Sequence, residues 1–398
     1  MPEAIQFHTL SKSDYKAARE CPTKLYYREM KYPSTKDSNE YLRMLAEGGY
    51  MVETLAKLMH PGGITLDYRS NPAGNTQKTL EALQSENVTL FEATIMSGQK
   101  LARLDILKKN GNNFDLIEVK AKSIDSEEHF GRIAAGQGNE FRGTRKPYRI
   151  LSGWQSYIED VAFQAMLLRE NFPEAKVTPF LCLVDKSKRI NVDELPKYFT
   201  VERKPDVMGR EQLHSVSFSG DIETLRNDGL LIVLDVSAEV EEVMETVRAQ
   251  AAEFEASLTD GLKKIPGVPR CGCSDCEYRL METVTPDGFT ECWGEMASVR
   301  PSVLDLHKVG LVRGSNGSVA DDLLRQGRAS LFDIPAEALV KKDGTVGSMA
   351  TRQRIQLAHT KSGTVWYAPD LHETMNRATY PLHFIDFEAS RLAIPPHA

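Results

Sequence analysis

The segment Leu101-Ala102-Arg103-Leu104-Asp105-Ile106-Leu107, the turn Asn110-Gly111-Asn112 and the segment Leu116-Ile117-Glu118-Val119-Lys120 decide how this chain is read. An Asn-Gly turn between two apolar runs predicts a hairpin with strands over 100–108 and 114–121. Side chains alternate along a strand, so Glu118 and Lys120 share one face while Ile117 and Val119 point into the core. Asp105 lies on the neighbouring strand. Two carboxylates and an amine meeting at one edge of a sheet are the equipment of metal-assisted phosphodiester hydrolysis. Hard oxygen ligands hold Mg²⁺ with some of its waters, and the metal activates water and neutralises phosphate charge. The amine orients or deprotonates the attacking water. By itself Ile-Glu-Val-Lys also fits an exposed strand face with a weak Glu/Lys pair.

Working outward, a strand over 88–95 precedes the hairpin, and Glu92 alternates there with apolar neighbours. Further upstream, Ser11 with Asp14 three residues later predicts a capped helix start, running through Tyr15 and Ala18 to Cys21-Pro22. A second helix spans Tyr41 to Met59, interrupted at Gly48-Gly49 and stopped by Pro61-Gly62-Gly63. Downstream, 123–144 is polar and Gly-rich and reads as a long loop. Residues 151–170 carry Trp154, Tyr157, Ile158, Val161, Ala165 and Leu168 on one helical face. Gln164 lies on that apolar face, where a polar group needs a partner or costs roughly 1–3 kcal/mol. A strand over 177–184 follows. Helix, three strands, helix, strand is an α/β arrangement, a mixed sheet covered by helices. After about residue 237 the chain turns helical: Ser237 caps a run with Val240, Val243, Met244 and Val247, and 303–335 holds short helices joined by Gly-rich turns.

Length and composition agree. The chain has 398 residues, enough for two to three domains. Lys+Arg is 49 and Asp+Glu is 56, a net charge of −7, which excludes a broadly basic coat but allows a local basic groove. Hydrophobic residues at 41% and charged residues at 26% are globular values and argue against global disorder. The longest apolar run, Leu230–Leu234, is strand length, so no membrane span is expected. The start lacks a basic stretch followed by an apolar one, which points to a cytoplasmic protein.

The order Glu53 on a helix, Glu92, Asp105, Glu118-Val119-Lys120, then Asp160-Val161-Ala162-Phe163-Gln164 on a helix resembles the RecB-type branch of the PD-(D/E)XK nucleases. The resemblance implies a restriction-endonuclease-like mixed sheet flanked by helices. It implies that Asp105, Glu118 and the Val119 carbonyl bind Mg²⁺ or Mn²⁺, that Lys120 positions the water, and that Gln164 supports the site and contacts DNA. RecB-type exonucleases often carry a further histidine ligand on the first helix. Here Tyr50 and Glu53 occupy that region, and His60 sits at the helix end.

Four of the six cysteines fall between Cys271 and Cys292. Cys273 and Cys276 form a Cys-x₂-Cys chelating turn, Cys292 follows, and the fourth ligand is either Cys271 or the distant Cys21 before Pro22. One cysteine before the core and three after it resembles the iron–sulfur RecB-like nucleases, among them AddB-type helicase-nuclease subunits and CRISPR-associated exonucleases. That implies a 4Fe-4S cluster on Cys21, Cys273, Cys276 and Cys292, with Zn²⁺ as the alternative. Cys182 reads as a core residue and Cys271 as a spare thiol.

The stretch Phe141-Arg142-Gly143-Thr144-Arg145-Lys146-Pro147-Tyr148-Arg149 mixes cations and aromatics, as a single-strand groove does, although a solvated loop has the same composition. The last apolar run, 380–388, is a strand candidate carrying Asp386 and Glu388, similar to the first strand of DnaQ-type exonucleases. The expected organisation is a RecB-like nuclease domain over 1–295, a helical module over 296–379 and a truncated DnaQ-like start over 380–398. The expected function is metal-dependent cleavage of DNA, at single strands or ends, in repair or defence, with a helicase or defence-system partner. A catalytically inactive nucleic-acid-binding module and a zinc-binding structural protein are the alternatives.

Overall fold

Apolar alternation and glycine turns build the sheet that positions the site. The computed structural model describes residues 8–36, 39–66, 71–205, 211–259, 261–280, 285–314, 317–341, 343–379, 381–387 and 392–394. The chain divides into two units. The first comprises Met1–Tyr26, Glu40–Ile265 and Arg391–Ala398; the second comprises Tyr27–Asn39 and Pro266–Ser390.

In chain order the elements leading to the sheet are β1 (Leu10–Ser11), α1 (Lys12–Glu20), α2 (Thr23–Glu29), α3 (Glu40–Leu58), β2 (Ile64–Thr65) and α4 (Pro72–Ala82). The central elements are β3 (Asn87–Ser97), β4 (Lys100–Asn110), β5 (Asn113–Ile124), α5 (Ser126–Ala134), α6 (Ser152–Asn171) and β6 (Lys176–Asp185). Then come β7 (Phe199–Pro205), β8 (Glu211–Phe218), α7 (Ile222–Asp228), β9 (Leu231–Asp235) and α8 (Ser237–Thr259). The main sheet runs β2-β3-β4-β5-β6-β9, with β1 added in parallel to the start of β4. Strands β3, β4 and β5 form an antiparallel meander; β6 is parallel to β5 and β9 antiparallel to β6. This is a mixed α/β fold with helices flanking a mixed sheet.

Two apolar layers cover the sheet. On one face Leu104, Leu116 and Leu181 pack with Tyr15, with Ile158, Phe163 and Leu167 of α6, and with Val240, Val247 and Phe254 of α8. On the other, Phe91, Ile106, Ile117 and Val119 pack with Val52 and Leu55 of α3 and with Leu225 of α7. Gly48 does not break α3. A Cβ there would lie 2.9 Å from the Cβ of Ala393, so the glycine lets the chain near Ile394 reach the second layer.

Three expectations need correction. The stretch 123–144 is not all loop: the Asp125 carboxylate accepts the Glu128 N–H and caps α5. The start of α8 is held by the Asp235 carboxylate, which accepts the Ser237 N–H at 2.7 Å. Finally, 382–387 forms no strand. Phe384, Ile385 and Phe387 are exposed there, with no neighbouring strand among the described residues to pair the backbone. Tyr380, Glu388, Ala389 and Ser390 lie outside the described residues.

The division at Ile265/Pro266 falls ahead of the boundary expected at 295, because the cysteine segment packs with residues 296–339. In the second unit Phe289 and Trp293 of α9 (Gly288–Trp293) share a core with Val303, Leu306, Leu323, Leu324 and Leu331. Short 3₁₀ turns and α10 (Val319–Arg325) build that core, and α11 (Ser348–Ser362) adds Gln353, whose amide donates to the His307 carbonyl at 2.6 Å. Among the described residues no helix is long and apolar enough to cross a membrane.

Candidate metal-dependent active site

Strands β3 and β4 turn over at one level, and that irregularity positions the site. Leu90, Ala93 and Ile95 of β3 belong to the first layer although Phe91, between them, belongs to the second. On β4, Ala102, Leu104 and Leu107 face the first layer and Ile106 the second. Regular alternation fails across Glu92 and Asp105, which lie between the pairs Phe91↔Ile106 and Ala93↔Leu104. Glu92 has a positive φ of 60°. Next door, β5 shifts register against β6 between Val119 and Ser123. Such irregularities re-aim side chains and are frequent beside active sites.

The consequence is a compact polar group facing α6. Asp105 Oδ2 accepts the Val119 backbone N–H at 2.8 Å, which lays the carboxylate along β5. Glu118 is buried. The Gln164 amide donates to its Oε2 at 2.7 Å and to the Asp160 carbonyl at 3.1 Å. Lys120 Nζ lies 2.7 Å from Glu118 Oε1 and 3.2 Å from Asp160 Oδ2, so Glu118 and Lys120 do share a face. Lys12, the first residue of α1, donates to both Glu118 oxygens at 2.9 and 3.0 Å. Arg19 reaches Asp160 at 3.4 Å and Glu159 at 3.0 Å.

The charges tune one another. Burial pushes the Asp105 carboxyl up, the neighbouring Glu118 charge adds to it, and the group reaches about 6. Burial alone would raise Glu118 too, but Lys12 and Lys120 beside it hold it well below the usual carboxylate range. Burial disfavours the Lys120 ammonium, yet Glu118 and Asp160 outweigh it and raise the amine. Of its two expected roles, orienting a water suits this ion-paired amine; acting as its base does not.

Glu53 and Glu92 sit in an adjoining group. Lys57 Nζ is 2.6 Å from Glu53 and also bonds Glu92, while Arg103 Nε is 2.7 Å from Glu92 Oε2. Burial, a hydrogen bond to Glu92 and the charge of Asp105 raise Glu53 to about 8. Glu92 stays low despite burial, through its hydrogen bond to Glu53 and the cations Lys57 and Arg103. The two carboxyls therefore share a proton near neutrality.

Among the described residues no three His, Cys, Asp or Glu side chains stand in an arrangement that could hold a metal ion. In the carboxylate group the amines of Lys12 and Lys120 stand against the oxygens. The donor chemistry fits a hard divalent cation: two carboxylates, Asp105 and Glu118, with Asp105 bonded to the Val119 N–H. Gln164 Oε1 is buried and has no hydrogen-bond donor among the described residues, a position a cation-held water would fill.

The cysteines are free thiols. Cys21 caps the end of α1 in the first unit. The second unit holds the other three expected ligands: Cys273, Cys276, and Cys292, whose Sγ is 3.1 Å from the Tyr27 hydroxyl. Cys271 contacts the Ser318 hydroxyl at 3.0 Å. Buried Cys182 is pushed up to about 12 by burial, as a core thiol should be.

Sequence reasoning missed Lys12 altogether. It also singled out Asp160 without giving it the role of holding Lys120. The Ser11 cap was the available signal for Lys12, because it fixes where α1 begins. No protein-family model matches the chain, and no curated protein matches it.

Proposed function

We propose that the first unit is a metal-dependent nuclease of restriction-endonuclease-like fold, cleaving phosphodiester bonds of DNA at single strands or ends. The observation that carries this reading is the convergence of Asp105, Glu118, Lys120 and Gln164 from β4, β5 and α6 on one polar group. The element order α3, β3-β4-β5, α6, β6, with β6 parallel to β5, supports it.

Asp105, Glu118 and the Val119 carbonyl would hold Mg²⁺ or Mn²⁺. When bound, that cation supplies Lewis-acid neutralisation of the phosphate and an acidified water. Gln164 fixes the Glu118 carboxylate through Oε2. Lys120, anchored by Asp160, orients the attacking water and faces the developing negative charge.

A basic, aromatic surface of the same unit offers a path for the strand. Lys122 Nζ lies 4.6 Å from the Trp154 ring centre and 5.4 Å from that of Tyr157. An open groove of about 610 Å³ is lined by Arg132, Arg145, Lys146, Arg149 and Leu151. Arg142 is held by Glu239 and Glu242, each at 2.6 Å, whereas Arg145, Lys146 and Arg149 have no carboxylate partner among the described residues. Cations without carboxylate partners beside the part-buried Tyr157 ring suit single-stranded nucleic acid.

The thiols Cys21, Cys273, Cys276 and Cys292 are proposed as ligands of a 4Fe-4S cluster, with Zn²⁺ as the alternative, and metal and sulfide analysis decides between them. The enzyme reading is tested by cleavage of single- and double-stranded DNA with Mg²⁺ or Mn²⁺. Activity lost in Asp105→Ala and Lys120→Ala supports it; activity unchanged in both overturns the site, and DNA binding without cleavage identifies an inactive binding module.

A further inference from the structure

Lys12 enters the carboxylate group from outside the strands that supply it, and the backbone fixes its position. β1 pairs with β4, Leu10 opposite Lys100 and Ser11 opposite Leu101. Ser11 then caps α1 through a reciprocal hydrogen-bonded pair with Asp14. Lys12 is therefore the first helical residue after a strand stitched to the sheet that carries Asp105. Its ammonium takes both oxygens of Glu118, at 2.9 and 3.0 Å. A divalent cation on Glu118 would need the same oxygens, so the two compete. The displaced amine has somewhere to go. A cavity of about 240 Å³, with Pro72 and Leu101 in its wall and the polar side chains of Ser11, Asn75 and Thr94 to receive the ammonium, adjoins it.

We propose that Lys12 is a resident counter-cation, which holds Glu118 while no divalent metal is bound and yields it to the metal by turning into that cavity. This rests on the nuclease reading of the site. Lys12 is a positioning residue: it keeps buried Glu118 and the neighbouring, half-buried Asp105 from repelling each other in the metal-free protein and lowers metal affinity in doing so.

The test is Mn²⁺ binding to the full chain by titration calorimetry at pH 8, without DNA. Lys12→Met should bind Mn²⁺ on the order of tenfold more tightly than the unaltered protein, a gain that mere structural damage does not produce. Lys12→Arg keeps the cation and should bind no more tightly than the unaltered protein. Lys12→Met should melt lower without metal and gain more from Mn²⁺; Lys12→Gln replaces it if the Met variant does not fold. Equal or weaker Mn²⁺ affinity in the neutral variants overturns the proposal. Asp105→Asn separates the two failures. If it binds Mn²⁺ as the unaltered protein does, the metal-site reading is wrong; if it loses Mn²⁺ while Lys12→Met is unchanged, only the role of Lys12 is.

Discussion

Asp105→Asn should make the protein inactive and, at neutral to alkaline pH, more stable. Burial and Glu118 lift the Asp105 carboxyl from the ordinary 3.8 to about 6. In the unfolded chain it returns to roughly 3.9. Between those values the native state binds the extra proton, so stability falls as pH rises through the window, and the loss is complete above it. Two units at about 1.4 kcal/mol each set an upper figure of about 3 kcal/mol. The side chain is only half-buried, so solvent screening reduces this to about 1–2 kcal/mol. Asparagine keeps an oxygen to accept the Val119 N–H while removing the charge. Each kcal/mol is worth roughly 2–4 °C of Tm in a unit of this size. Thermal melts of both proteins without divalent metal should therefore show Asp105→Asn melting higher at pH 8, with the advantage vanishing near pH 4, where the native carboxyl is already protonated. A variant less stable at pH 8, or a shift of the same size at both pH values, refutes the reasoning.

Mn²⁺ affinity of the unaltered protein should fall as pH drops through about 6, because Asp105 must be ionised to bind, and calorimetry at pH 5 and pH 8 checks this. Arg145→Ala with Arg149→Ala should weaken single-strand binding and lower the slope of log affinity against log salt by roughly 0.7 per lost phosphate contact, leaving Mn²⁺ affinity unchanged. Gln164→Leu should cost roughly 1–3 kcal/mol in urea unfolding, because Glu118 Oε2 loses its amide donor, and should reduce cleavage. Anaerobically purified protein should contain iron and sulfide, and Cys273→Ser should lose both; stoichiometric zinc with neither iron nor sulfide rules the cluster out.

The meander was legible because apolar runs flank the turn at Asn110-Gly111-Asn112, and α6 because Trp154, Ile158, Val161 and Leu168 recur at helical spacing. Pairing Glu118 with Lys120, and Gln164 with a polar partner, followed from those periods. The turnover at Glu92 and Asp105 was not legible: a positive φ is ordinarily signalled by glycine or asparagine, and here it falls on a glutamate. Lys12 was hidden because its contact with Glu118 is made by distant pairing of β1 with β4, which local pattern does not encode. Helix α5 was lost in a Gly-rich, polar composition that outweighed its Asp125 cap. The run 382–387 has strand composition but no partner edge, and composition alone does not pair a strand.

Crystals grown with Mn²⁺ and measured for anomalous scattering test the central claim most directly. One strong peak within bonding distance of the carboxylate oxygens of Asp105 and Glu118, with Lys12 moved off Glu118, is the expected result. A peak at Glu53 and Glu92 alone, or none near the sheet with Lys12 still seated on Glu118, contradicts it.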